Sequence, residues 1–391
     1  MTKHFETSVI HEGYVGKEHL GSLSTPIFQT STYEFNSAEH GEQCFAGESD
    51  GYIYSRLGNP TVRVLEEKMA YLEGGERGLA FGSGMGAISA VLVALTKAND
   101  HILCSTGLYG CTYGLLMMFK EKYNIASDFS DLNSEEIIRS AIKENTTVIY
   151  IETPINPTMQ LIDLECVVKV AKEFGIPVVV DNTFLTPYIQ RPLDIGCDVV
   201  IHSATKYLNG HGDVIAGIAV GSKEFLDSVA MTTQKDMGAI LAPFDAWLII
   251  RGLKTLPLRM DRHTSNAEKI VQKLLDHDKV TDVFYPGQGT NEQNAIKEKQ
   301  MSLSGGIISF EVDGTKETTQ QLLNKLSFIK VAVSLGDAET LIEQPATMTH
   351  AVIPEEEREK MGITNSLIRL SVGLEHWEDI WNDLDTALKS I

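Results

Sequence analysis

Between about Asn59 and Pro257, short apolar β-branched runs alternate with helical stretches, and this alternation constrains the fold more than any other feature. The runs are Gly78–Phe81, His101–Cys104, Thr147–Ile151, Pro177–Val180, Val199–Ile201 and Ile215–Val220. Helical patterning falls between several of them, at Met85–Thr96, Ser134–Lys143 and Leu164–Phe174. Continuous apolar strands separated by helices predict an α/β domain whose mostly parallel sheet is covered on both faces. From Leu258 the texture becomes α+β. Helical Asn266–Leu275 and Glu317–Lys325, strand-like Gly306–Val312 and Ile368–Val372, and a terminal helix Trp377–Leu388 imply a smaller C-terminal domain. Residues 1–58 show little periodicity and are expected to lie along another subunit. The expected organisation is therefore 1–58, 59–257 and 258–391.

A chain of 391 residues, 43% of them hydrophobic, can build cores for such domains. Its 33 basic and 53 acidic residues leave a net charge of −20, which disfavours nucleic acid and anionic membranes as partners. No apolar stretch approaches the length of a membrane span. The opening residues lack a basic-then-apolar export pattern, and the 5 cysteines are dispersed without CxxC pairs, so a cytoplasmic protein with reduced thiols and no metal site is expected. Any anionic ligand must find local donors to overcome the overall charge.

In a parallel sheet, functional groups gather at the carboxyl ends of the strands. Lys206 follows the run Val199–Ile201 among small hydroxyl residues, where desolvation can make it a usable amine; alternatively it is a loop lysine on the surface. Asp181 ends the preceding run, about one β-α-β step away, so a carboxylate and an amine can face one planar ring. Gly82-Ser83-Gly84-Met85-Gly86 joins a strand to an apolar helix, a pattern that turns backbone N–H groups toward an anion or simply makes a tight turn. Ser203 and Thr205 add hydroxyls beside Lys206, and Tyr54 and Arg56 are further phosphate-binding candidates. Tyr109 can stack on a ring and exchange a proton. Arg369, a charge inside an apolar run, needs an anionic partner, either a substrate carboxylate or an internal salt bridge.

Together these runs resemble the Cys/Met-metabolism family of pyridoxal-phosphate enzymes, which are fold-type I proteins. The resemblance rests on Tyr54-Ser55-Arg56 with Asn59-Pro60-Thr61, Ser83-Gly84-Met85, Glu152-Thr153-Pro154 with Asn156-Pro157, Asp181-Asn182-Thr183 and His202-Ser203-Ala204-Thr205-Lys206-Tyr207. It implies that pyridoxal 5'-phosphate is the cofactor, Lys206 its Schiff-base lysine, Asp181 the partner of its ring nitrogen and Tyr109 the stacking residue and acid. Gly84, Met85, Ser203 and Thr205 would hold the phosphate, with Tyr54 and Arg56 reaching it from a neighbouring subunit. Arg369, with Asn156 and Ser334, would hold the substrate carboxylate. A homo-oligomer with shared sites, in full a tetramer built from dimers, follows from the same resemblance.

Within that family, Cys111, the pair Lys235-Asp236, and Ser334–Glu339 with Met348-Thr349-His350 resemble the methionine-cleaving branch. The implied reaction is a carbon–sulfur lyase step on methionine, with Cys111 shaping the thioether end of the pocket. A cystathionine gamma-lyase or an O-acetylhomoserine sulfhydrylase is the alternative. A non-catalytic binding or regulatory protein on the same scaffold is the alternative of another class, which the combination of Lys206, Asp181, Tyr109 and Arg369 opposes.

Overall fold

The computed structural model describes residues 3–391. Seven strands form the larger sheet: β1 (Arg77–Phe81), β2 (His101–Ser105), β3 (Ala126–Ser130), β4 (Thr146–Glu152), β5 (Val178–Asp181), β6 (Val199–Ser203) and β7 (Gly217–Gly221). Their order is β1-β7-β6-β5-β4-β2-β3. Pairing is parallel from β6 through β3, whereas β7 runs antiparallel to both of its neighbours. Side chains alternate across this sheet as the pleat requires. Val148 and Tyr150 of β4 pack under the helices Gly84–Leu95 and Gly110–Tyr123, while Ile149 and Ile151 face the helix Leu164–Phe174. Both sides are dry, which explains why these strands read as continuous apolar runs.

Local signals set the helix bounds. Asn59 caps the helix Pro60–Glu73 through the N–H of Thr61, Pro60 occupies its first turn, and Gly74 ends it in the left-handed region. Asp163 and Gly175 do the same for Leu164–Phe174. The helix Leu256–Leu275 then carries the chain toward a second sheet, starting two residues before the expected change at 258. Five strands form that sheet: β8 (Val280–Phe284), β9 (Ile307–Val312), β10 (Lys330–Val331), β11 (Leu341–Glu343) and β12 (Leu367–Ser371), in the order β10-β11-β12-β9-β8. Ile368 and Leu370 of β12 pack into the small-domain core with the terminal helix Trp377–Leu388, so Arg369 between them points to the other face.

Residues 3–58 are more structured than their weak periodicity suggests. They contain short helices at Phe5–His11 and Ala38–Ala46. Buried Lys68 donates to the Val9 carbonyl at 2.9 Å, anchoring the C-terminal turn of the first helix.

Candidate active site

Period-two alternation places three polar groups on one face at the carboxyl edge of the large sheet. Glu152 lies two residues after Tyr150, Asp181 two after Val179 and Ser203 two after Ile201, and Tyr150, Val179 and Ile201 all pack on the side of the helix Gly84–Leu95. They open into a cavity of ≈310 Å³, whose wall also includes Gly84, Met85, Tyr109, Asn156, Thr205, Lys206, Ser334 and Arg369. Strand ends of the larger sheet thus meet β12 and the loop before β11 across one space.

Lys206 sits in the turn that follows β6, and its Nζ donates to Ser334 Oγ at 2.8 Å. Burial, reinforced by the positive charge of Arg369, lowers its amine to about 8. The turn is locked from behind. Buried Arg259 donates to the Tyr207 carbonyl at 2.6 Å and to the Gly252 carbonyl at 3.0 Å. Gly210, at φ +72, lies so close that a Cβ would stand 2.1 Å from the Arg259 guanidinium.

Arg369 is fixed on three sides. Its Nη1 donates to Asn156 Oδ1 at 2.9 Å and its Nη2 to the Ser334 carbonyl at 2.8 Å, while Glu343 Oε1 lies 3.0 Å from Nη2. The internal salt bridge considered as an alternative therefore exists, and Arg369 still faces the cavity. Glu343 stands opposite Arg369 in the β11–β12 register and also accepts the Thr349 hydroxyl at 2.8 Å. Ser334 itself has φ +127, a conformation that costs a side-chain-bearing residue energy and aims its hydroxyl and carbonyl at Lys206 and Arg369.

Tyr109 precedes the helix Gly110–Tyr123, and its N–H donates to both oxygens of Glu152, at 3.1 and 3.0 Å. Burial first, then the neighbouring Cys111 thiol, pushes its phenol up to about 12, so it keeps its proton around neutrality. Cys111 is exposed and stands outside the cavity wall, against Tyr109. At the opposite end, the helix Gly84–Leu95 directs its first N–H groups to the cavity, and Ser83 caps it. Gly84 is required there, because a Cβ would come within 2.9 Å of Ser203 Cβ. The Thr205 hydroxyl is engaged with Ala216, accepting its N–H at 3.0 Å and donating to its carbonyl at 3.3 Å. Tyr54 and Arg56 do not reach this cavity in their own chain. Both are exposed, and Arg56 donates to the Lys235 carbonyl at 2.7 Å.

Sequence reasoning gave no role to Glu152, Thr183, Glu343 or Arg259. Glu152 carries the same signal as Asp181, a carboxylate ending an apolar run, and could have been found that way. Glu343 depends on strand register and could not.

A desolvated lysine, a helix N-terminus with the Ser203 hydroxyl beside it, and carboxylates at neighbouring strand ends suit a flat cofactor that carries an aldehyde, a phosphate and a basic ring nitrogen. The fold and cavity thus define a class, the fold-type I pyridoxal-phosphate enzymes. Comparison with known proteins agrees. The family described as "Cys/Met metabolism PLP-dependent enzyme" matches residues 6–389, and the chain belongs to it. The chain is 51% identical to the L-methionine gamma-lyase of Fusobacterium nucleatum subsp. nucleatum, over 98% of this chain and 98% of the relative. It is 48% identical to the L-methionine gamma-lyase of Treponema denticola, over 99% of this chain and 97% of that one. Among solved structures, the cystathionine gamma-lyase from Lactobacillus plantarum complexed with L-serine superposes with a TM-score of 0.93 at 39% identity, covering 100% of this chain and 99% of that one. Among the described residues, no helix is long and apolar enough to cross a membrane.

Proposed function

We propose that this chain catalyses α,γ-elimination of L-methionine, with water converting the substrate into methanethiol, 2-oxobutyrate and ammonia. One observation carries this reading. Lys206 and Arg369 converge on Ser334, one through its hydroxyl and one through its carbonyl, each at 2.8 Å. An amine that can give up its place to a substrate amino group, and a guanidinium that can hold a carboxylate one residue's width away, together suit an α-amino acid. The preference for methionine is supported by likeness to L-methionine gamma-lyases over nearly the whole chain.

When bound, the cofactor supplies an electron sink next to the substrate Cα, and Asp181 keeps its ring nitrogen protonated. Arg369, steadied by Asn156, Ser334 and Glu343, holds the substrate carboxylate. The Lys206 amine removes the Cα proton and then moves protons between Cα and Cβ, so that the Cγ–S bond can break. Tyr109 is the donor to the departing sulfur, and its proton is available because the phenol is raised to about 12. The Gly84 and Met85 N–H groups and the Ser203 and Thr205 hydroxyls would hold the phosphate, Thr205 also bracing the loop around Ala216.

The decisive measurement is a panel of methionine, cystathionine, and O-acetylhomoserine with sulfide, read by 2-oxoacid and thiol release. Methionine should give both products in equal amounts. A protein faster on cystathionine would overturn the methionine assignment. In the same panel, Cys111→Gly should cut kcat/KM for methionine relative to cystathionine by roughly tenfold, the size of a one-group pocket change. Equal losses would make Cys111 a general support of Tyr109.

The same proposal includes a cytoplasmic homo-oligomer, in full a tetramer built from two dimers, whose segment 1–58 completes a neighbour's site between domains 59–257 and 258–391. Exposed apolar residues in that segment support burial against a partner: Leu20 is 105% exposed, Leu23 94% and Phe45 70%. Arg56→Ala should weaken cofactor affinity. Mixed with Lys206→Ala subunits, it should recover roughly a quarter of wild-type activity, because half the dimers are hybrids with one intact site. No recovery despite demonstrated subunit exchange would rule out a site built in trans.

A further inference from the structure

Glu152 and Asp181 end adjacent strands and stand opposite each other in register, and both line the cavity. Glu152 receives the N–H of Tyr109 and has the Thr112 hydroxyl beside it, while Asp181 Oδ1 receives the N–H and hydroxyl of Thr183 and has the Tyr150 hydroxyl beside it. None of these donors is charged. The cations of the cavity are engaged elsewhere, Lys206 with Ser334 and Arg369 with Asn156, Ser334 and Glu343. His202, on β6, lies on the opposite face of the sheet, where positive charge on it would favour ionised Asp181, but its Nε2 is 2.6 Å from Glu73, which takes up that charge. The other titratable neighbours are Tyr150 on β4, Cys104 on β2 and Tyr109 above. Burial pushes all three upward, so they hold their protons around neutrality. The helix Gly84–Leu95 brings only Ser83, Gly84, Met85 and Ile88 to the cavity.

Two carboxylates sharing a dry site, with no cation paired directly to either, cannot both ionise cheaply. Burial raises both carboxyls above the ordinary range, and the charge of Asp181 adds to the rise at Glu152. We propose that Glu152 and Asp181 share one proton while the cofactor ring is absent, and that a bound cationic ring replaces it, coupling cofactor capture to proton release. This rests on the proposed placement of the ring nitrogen at Asp181. A cofactor arriving with a protonated ring sends the shared proton to solvent. One arriving unprotonated takes that proton onto its nitrogen, with no net release. Glu152 is thus a positioning residue twice over, holding Tyr109 by its backbone and setting the charge that the ring must meet.

The test uses pyridoxine 5'-phosphate, which keeps the ring and phosphate but has an alcohol where the cofactor has an aldehyde, so it cannot link to Lys206. It is titrated calorimetrically into cofactor-free protein near neutral pH, in two buffers of different ionisation enthalpy. Wild type should release about one proton more per site than Glu152→Gln, and its affinity should rise with pH more steeply by roughly tenfold per pH unit. Glu152→Gln keeps the side-chain volume and an acceptor for Tyr109. Equal release in the two proteins overturns the proposal, as does zero release from wild type at a pH where the free probe's ring is protonated, whatever the variant's folding. Asp181→Asn separates the two layers. Unchanged probe affinity in that variant overturns the ring placement and the coupling with it. Affinity lowered about tenfold or more, one charge-assisted contact's worth, without a proton difference between wild type and Glu152→Gln, overturns the coupling alone.

Discussion

Lys206→Ala should lose about two to four orders of magnitude in turnover, the usual contribution of a positioned acid–base group. It should also lose every covalent trace of the cofactor. Borohydride treatment of the loaded wild-type protein should leave the cofactor's mass on the peptide containing Lys206, and the variant should show none. The size of the effect follows from convergence of roles. In the proposed reaction the same amine captures the cofactor, takes the proton from Cα and returns protons during elimination, and no other lysine among the described residues lines the cavity. Its lowering to about 8 means that a substantial fraction is neutral, and hence nucleophilic, in mildly alkaline solution. The comparison is clean because the Lys206 side chain makes one hydrogen bond, to Ser334, and the turn is held independently by Arg259. Covalent trapping on the variant at another lysine, with turnover retained, would reassign the chemistry.

The strands around this lysine were legible because each is buried on both faces, which writes burial into the sequence as an unbroken apolar run. β3 was not legible for the opposite reason. It lies at the edge of the sheet, and Ser127 and Asp128 interrupt any apolar pattern. The run Ile215–Val220 announced a strand but not its direction, since hydrophobicity is blind to polarity, and β7 turned out antiparallel. The short helices before residue 58 were missed because their stability comes from docking, as at Lys68 and Val9, rather than from an amphipathic repeat. Within the site, Lys206 and Asp181 were legible as polar residues at strand ends. Contacts made by tertiary approach were not. Neither the engagement of Thr205 with Ala216 nor the setting of Glu343 against Arg369 has a local signature. β11 is only 3 residues long, too short to display a period.

Arg369→Ala should raise KM for methionine by about a hundredfold or more, and it should also destabilise the protein, because removing one member of a buried ion pair costs about 3–5 kcal/mol. The two effects have different origins and can be separated. Glu343 is 1% exposed and Arg369 3% exposed, so the single substitution strands a carboxylate in a dry site. Arg369→Lys preserves the charge but not the fork that reaches Asn156 and the Ser334 carbonyl together, so it should recover stability better than KM. Replacing both residues, Arg369→Met with Glu343→Met, removes the stranded charge as well. Apolar replacement of a buried pair is often neutral for stability, so thermal unfolding should return toward wild type. KM should stay high, because nothing remains to meet the substrate carboxylate. If KM recovered along with stability, Arg369 would be only the internal partner of Glu343, and the carboxylate would have to be bound elsewhere in the cavity.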